Sequence, residues 1–334
     1  MANSKIICNF AIIFYRYILN KPLITNILRY SIVIVCLLFL TYRLFVADSF
    51  DIEGVIAVFD TMPSNRYWLA VLAIVLLPIS IFVESLKWRS AIQYIHKISV
   101  LESVVSVLWG YTGAFITPNS LGEFPTRAIY LPYGSRTEAV TMGFLGSLIQ
   151  TIVVTICGLV GLGFWIGDID IGLSHKTQII LYLSIVVILL MGILVLLKIK
   201  VFSKFIHLIR WNIAQKISSV LMLTTRKQII QLFLLSLLKY FIFSCQFFLI
   251  LILCGVDIPI GRAFIDMSVF YLLFTYMPIM NFLDVAVRSS IAIIVFGKYT
   301  ESSLSIVLAS SVIWILNFCL PSFVGLCFGI KNRR

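Results

Sequence analysis

Charge is scarce in this sequence. Lys and Arg number 26 and Asp and Glu 14 in 334 residues, 12% of the chain, about half the share a soluble domain carries. A chain this poor in charge cannot cover itself in water, so an ordinary soluble fold is excluded. Histidine occurs three times, at His96, His175 and His207, beside polar connections and without metal-ligand spacing. The seven cysteines, Cys8, Cys36, Cys157, Cys245, Cys254, Cys319 and Cys327, form no CxxC pair and read as small apolar residues. No metal site or cofactor is expected. A GxxxxGK[ST] phosphate loop is missing, which argues against direct use of ATP. The alternating ten-residue segments of a membrane β-barrel are missing too.

What is present is apolar length. Hydrophobic residues make up 61% of the chain and the mean hydropathy is +1.07. The uncharged runs Tyr67–Val83, Ala139–Gly167, Gln178–Leu197, Tyr240–Val256 and Ser302–Ile330 each approach the ~20 residues that cross a bilayer as a helix. Ser31–Tyr42 reaches that length if Arg43 snorkels and Leu44–Ala47 continue the span. The fold class is therefore all-α, a polytopic helical membrane protein with about six full spans. Arg16, Lys21 and Arg29 interrupt the first apolar stretch and no cleavage site follows. Residues 1–27 accordingly read as a basic amphipathic segment on the cytoplasmic face, followed by one membrane domain over 28–330 and a basic tail, 331–334.

The net charge of +12 fits cytoplasmic loops and anionic lipid better than nucleic acid. Lys198–Lys227 holds seven basic residues and no acid, which places this linker in the cytoplasm. The connections 43–66 and 167–177 lean acidic and belong outside. Parity then puts both ends of 84–138 inside and both ends of 262–297 outside, with both termini cytoplasmic in an inner membrane of bacterial type. The first half (67–197) would hold a re-entrant hairpin over 100–133. The second half (228–330) would hold another over 262–297, entering from the opposite face. Such an inverted repeat places interrupted helices around a central site.

The hairpins share a pattern. Pro118, Asn119 and Gly122 break the first, which continues with Glu123 and Arg127; Pro278 and Asn281 break the second, which continues with Asp284 and Arg288. Acid and arginine share a helix face at i,i+4. Each such charge costs roughly 2.5–3.5 kcal/mol at the bilayer centre. Either each pair neutralises itself and locks its tip, or an arginine takes an oxyanion, for which its planar fork is suited. Glu102 and Asp266 stand near the two hairpin starts and, with Asn119 and Asn281, are candidate headgroup contacts. Lys239 either faces a cavity or snorkels outward. Trp88 and Arg89 read first as an interfacial anchor and second as a headgroup contact.

Trp88-Arg89, the Pro118…Gly122-Glu123…Arg127 pattern and Pro278…Asp284…Arg288 together resemble the lysylphosphatidylglycerol synthase transmembrane-region family, the flippase-like membrane proteins, over about 28–329. This chain departs from many members in lacking glycine over Ile279–Leu283 and in having Asp284 where they have glutamate. The resemblance implies movement of lipid between leaflets. Because the chain ends at Arg334, the expectation is that the aminoacyl-transfer domain is absent and the synthase activity does not carry over. The function expected is translocation of an anionic phospholipid or lipid-linked headgroup, with Arg127 and Arg288 lining one shared cavity and Glu123 and Asp284 holding them. The alternative is a membrane-embedded enzyme or accessory subunit acting on lipid-linked substrates. A homo-oligomer and a partner enzyme of a lipid pathway are compatible with either.

Overall fold

The computed structural model describes residues 67–117, 120–168, 224–277 and 284–331, with short pieces at 34–35, 38–42, 56, 179, 182–188, 190, 194, 218 and 221–222. Among the described residues there is no strand. The helices are α1 (Tyr67–Ile92), α2 (Val100–Ile116), α3 (Glu123–Ala128), α4 (Arg136–Asp168), α5 (Arg226–Leu253), α6 (Ile260–Tyr276), α7 (Asp284–Phe296), α8 (Ser303–Trp314) and α9 (Leu320–Lys331). A π turn at Ile315–Cys319 joins α8 to α9 without a break in the rod. Among the described residues, four stretches are long and apolar enough to cross a bilayer: Tyr67–Ile92, Arg136–Ile166, Arg226–Leu253 and Ser303–Phe328. The protein is an integral membrane protein. The expected spans at 28–47 and 178–197 lie mostly outside the described residues, as do the segment 1–27 and most of the linker 198–227.

Local chemistry sets the helix ends. Ser99 and Glu102 form a reciprocal capping box on α2: Ser99 N–H donates to Glu102 Oε2 at 2.7 Å and Glu102 N–H to Ser99 Oγ at 3.2 Å. Thr225 caps α5 through its hydroxyl oxygen. Gly255, with φ of 82°, closes α5. The amides of Gly255 and Val256 return to Ile252 and Leu251 carbonyls.

Apolar burial does not drive helices together in lipid, so close packing and interhelical hydrogen bonds must. Helices α1 and α5 pack along their length in antiparallel register. Gln246 Nε2 donates to the Ala73 carbonyl at 2.9 Å near one end, and Gln228 Nε2 to the Ser90 and Ala91 carbonyls, each at 2.9 Å, near the other. Asn317, in the π turn, donates to Gln246 Oε1 at 2.8 Å and ties the last span to that pair. Helix α4 lies against α6 through glycines. A β-carbon at 158 would stand 2.5 Å from Leu272 Cβ, and one at 161 would stand 2.6 Å from Ser268 Cβ. Helix α2 lies against α9, where Thr112 Oγ1 donates to the Ser322 carbonyl at 2.8 Å and Ser322 Oγ to the Tyr111 carbonyl at 3.0 Å. Phe247, Phe270 and Phe296 from α5, α6 and α7 are fully buried and fill the core of the second half.

One expected boundary moves. The second span does not stop at Val83 but runs to Ile92, so Glu84 and Lys87 lie inside it. A charged turn survives there because its charges meet partners from other helices. The return limb of the first hairpin is only the short helix α3 and a 3-10 turn, Tyr133–Ser135, before α4 begins.

Candidate functional site

Glu84 on α1 is 3% exposed, and about 12 Å of helix separates it from Ile92 at 1.5 Å per residue. Its two oxygens collect three cations. Oε1 accepts from Arg127 Nη1 of α3 at 2.9 Å. Oε2 pairs with Lys87 Nζ at 2.8 Å, one turn along α1, and with Lys239 Nζ of α5. Arg127 reaches back along α3 to Glu123 with its other terminal nitrogen. Lys87 also donates to Gln150 Oε1 of α4 at 3.2 Å, and Gln150 Nε2 to the Ser236 carbonyl of α5 at 3.2 Å. Three helices, α1, α3 and α5, thus converge on one carboxylate, and α4 joins them through Gln150.

The cluster holds three cations (Lys87, Arg127, Lys239) and two carboxylates (Glu84, Glu123), which leaves one positive charge in excess. These side chains and Trp88, Phe124, Met142, Gly143 and Gly146 surround a cavity of about 180 Å³. At ~30 Å³ per water that is room for about six waters, the scale of a headgroup phosphate rather than of an acyl chain. Two donors of the lining are buried without a partner: Arg127 Nε and Trp88 Nε1. A buried donor left unmade costs about 1–3 kcal/mol. The Arg127 guanidinium lies 5.7 Å from the Trp88 and the Phe124 ring centroids, which holds its plane between aromatic walls.

Glycine makes room for this arginine. A β-carbon at 110 on α2 would lie 2.6 Å from Arg127 Cγ. Gly113 and Gly122 let the limbs of the hairpin touch, since a β-carbon at 122 would lie 2.5 Å from the Gly113 carbonyl oxygen. Ser106 Oγ donates to the Arg127 carbonyl at 3.0 Å. Just before Gly122, Ser120 takes a left-handed conformation with φ of 55°, uncommon for a residue with a side chain.

The second hairpin builds a different environment. Arg288 Nη2 meets Asp284 Oδ2 at 3.2 Å and lies 4.3 Å from the Phe274 ring centroid. Neither residue lines the cavity around Arg127. Arg127 meets Glu84 and Trp88 of α1, and α6 supplies an aromatic face to Arg288. Asp266 is buried on α6 and pairs with Lys298 at 3.0 Å and with the Tyr299 hydroxyl. Glu102 is spent on the α2 cap and points to solvent or lipid, away from the cavity. Trp88 is 2% exposed, so it is a cavity wall and not an interfacial anchor. Arg89 is exposed, and its Nε donates to the Ile98 carbonyl at 3.0 Å. Lys239 is buried on Glu84 rather than snorkelling. Pro118, Asn119, Pro278 and Asn281 lie outside the described residues.

Reading the sequence missed Glu84, Lys87 and Gln150. One signal was available: Lys239 stands in an apolar helix with no acid of its own, and an intramembrane cation requires a partner on another helix.

A family model described as Lysylphosphatidylglycerol synthase TM region matches residues 26–283. The chain belongs to that family. The match spans the whole Glu84–Arg127–Lys239 cluster and ends before Asp284, the first residue of α7. No curated protein matches the chain.

Proposed function

We propose that this protein carries an anionic lipid headgroup between the leaflets of a bacterial-type inner membrane, without ATP, and that the Glu84–Arg127–Lys239 cavity is where the headgroup rests. The observation that carries this reading is the excess positive charge beside two unpartnered buried donors, Arg127 Nε and Trp88 Nε1. A phosphate oxygen between them would satisfy both, with Lys87 turning from Gln150 to a second oxygen. Glu84 and Glu123 keep the cations neutralised enough to stay buried when no headgroup is present.

An inverted repeat with six full spans and cytoplasmic termini is part of the proposal. Two features support it. The order long helix, 17-residue helix, break, acid–arginine helix, long helix occurs twice, as α1 to α4 and as α5 to α9. The packing is reciprocal as well: α1 meets α5, while each 17-residue helix lies against a long span of the other half, α2 against α9 and α6 against α4. A two-fold relation between halves gives a carrier two alternative closures around one site.

The test is flipping of fluorescent phosphatidylglycerol in proteoliposomes, with phosphatidylcholine as the neutral comparison. Arg127→Ala should slow the phosphatidylglycerol rate roughly 10–100-fold, the range of a lost charge-assisted hydrogen bond, and Arg127→Lys should recover part of it. An unchanged rate in Arg127→Ala removes the site assignment.

A further inference from the structure

The opposite face of α1 carries a second, larger recess. It has a volume of about 460 Å³ between α1, the α1–α2 connection and α5. Arg89, Gln93, Lys97 and Gln231 are its polar members, and Leu86 and Leu235 lie one to two turns further in. Among the described residues, none that lines it is acidic. Its place on α1 separates it from the headgroup cavity: Glu84, Lys87, Trp88 and Ala91 face one way, and Leu86, Arg89, Ser90 and Gln93 the other.

The antiparallel register of α1 and α5, fixed by the Ala73–Gln246, Glu84–Lys239 and Ser90–Gln228 pairs, shows what lies beyond the recess. It brings Phe82 level with Leu238 and Ile79 level with Phe241. These four side chains are 46%, 47%, 42% and 43% exposed. They follow Leu86 and Leu235 at three- and four-residue spacing, so exposed apolar side chains continue from the recess along both helices, and recess and strip together form a furrow. One end is basic and amide-lined and the other is wholly apolar, an amphipathic shape at the scale of one lipid. Ligand sites of this class occupy about 300–1,000 Å³.

We infer that this furrow holds one anionic glycerophospholipid, with its phosphate on Arg89 and Lys97 and an acyl chain along Phe82, Leu238, Ile79 and Phe241. Arg89 is preset for the task. Its Nε is tied to the Ile98 carbonyl, which fixes the guanidinium and leaves its terminal nitrogens to an anion. Gln93 and Gln231 offer amide donors to the glycerol and phosphate oxygens. Charge complementarity selects the occupant: two cations without a counter-ion in the lining favour a phosphodiester over a zwitterionic headgroup. The site is distinct from the transport cavity and does not require that cavity to work.

The experiment is native mass spectrometry of the full chain released from micelles with equimolar phosphatidylglycerol and phosphatidylcholine. Wild type should retain a furrow phosphatidylglycerol in preference to phosphatidylcholine, in addition to any held in the inner cavity. The double variant Arg89→Gln/Lys97→Gln should weaken that retention by about 25-fold, at roughly fivefold for each basic residue near a membrane surface. Leu235→Trp, which fills the recess without changing charge, should displace the lipid, whereas a diffuse attraction to the basic rim would survive it. Arg127→Ala removes at most the lipid of the inner cavity, so the retention that depends on Arg89 and Lys97 should persist in it. Equal retention of both lipids, or retention undiminished in both furrow variants, overturns the proposal. Loss only in Arg127→Ala places the retained lipid in the inner cavity and equally overturns it. Size-exclusion profiles of the variants report folding, and Arg89→Lys should restore most of the binding if the charge is what matters.

Discussion

Glu84→Gln is the sharpest perturbation of this structure. One carboxylate neutralises parts of three cations drawn from α1, α3 and α5. Its removal raises the excess charge of the cluster from one to two, with only Glu123 left as counter-ion. Breaking a buried ion pair by deleting one partner costs about 3–5 kcal/mol, and three partners lose theirs together, so the upper part of that range is expected. Lys87→Met works in the opposite direction. It brings the cluster to neutrality and leaves Glu84 with Arg127 and Lys239, so it should cost about 1 kcal/mol. Both can be measured by SDS titration in mixed micelles, with helix content as the readout. The asymmetry between the variants is the signature of one shared carboxylate. The more positive Glu84→Gln cluster should also regain more stability than wild type when phosphatidylglycerol is added, up to about 2.7 kcal/mol at a hundredfold excess over Kd. A Glu84→Gln protein as stable as wild type, or equal costs for the two variants, would refute the reasoning.

Gly110→Ala places a methyl group against Arg127 Cγ; overpacking of this kind costs about 1–3 kcal/mol, and the flipping rate should fall with it because the guanidinium is displaced. Glu102→Ala removes half of the α2 capping box and should reduce thermal stability slightly while the flipping rate stays at the wild-type value. A rate that fell in parallel would return Glu102 to the site.

The helical membrane architecture was legible because it depends on apolar length alone, which needs no knowledge of neighbours. The interruptions near Pro118 and Pro278 were legible for a related reason: proline, a short polar stretch and an i,i+4 acid–arginine pair are all local. The centre of the site was not. Glu84, Lys87 and Arg89 together look like the end of a span, because three charges in six residues normally mark the interface. What keeps that turn buried is Arg127 from forty residues away and Lys239 from the other half of the chain. Trp88 was misread on the same grounds, since a tryptophan among basic residues is an anchor only when lipid can reach it.

The central claim is that a lipid phosphate occupies the space between Arg127, Trp88 and Lys87. Electron cryomicroscopy of the full chain in phosphatidylglycerol nanodiscs tests it most directly. The account predicts phosphate density within hydrogen-bond distance of Arg127 Nε and Trp88 Nε1, with Lys87 withdrawn from Gln150. A well-resolved cavity containing only water, with Lys87 still on Gln150 at saturating lipid, would contradict it.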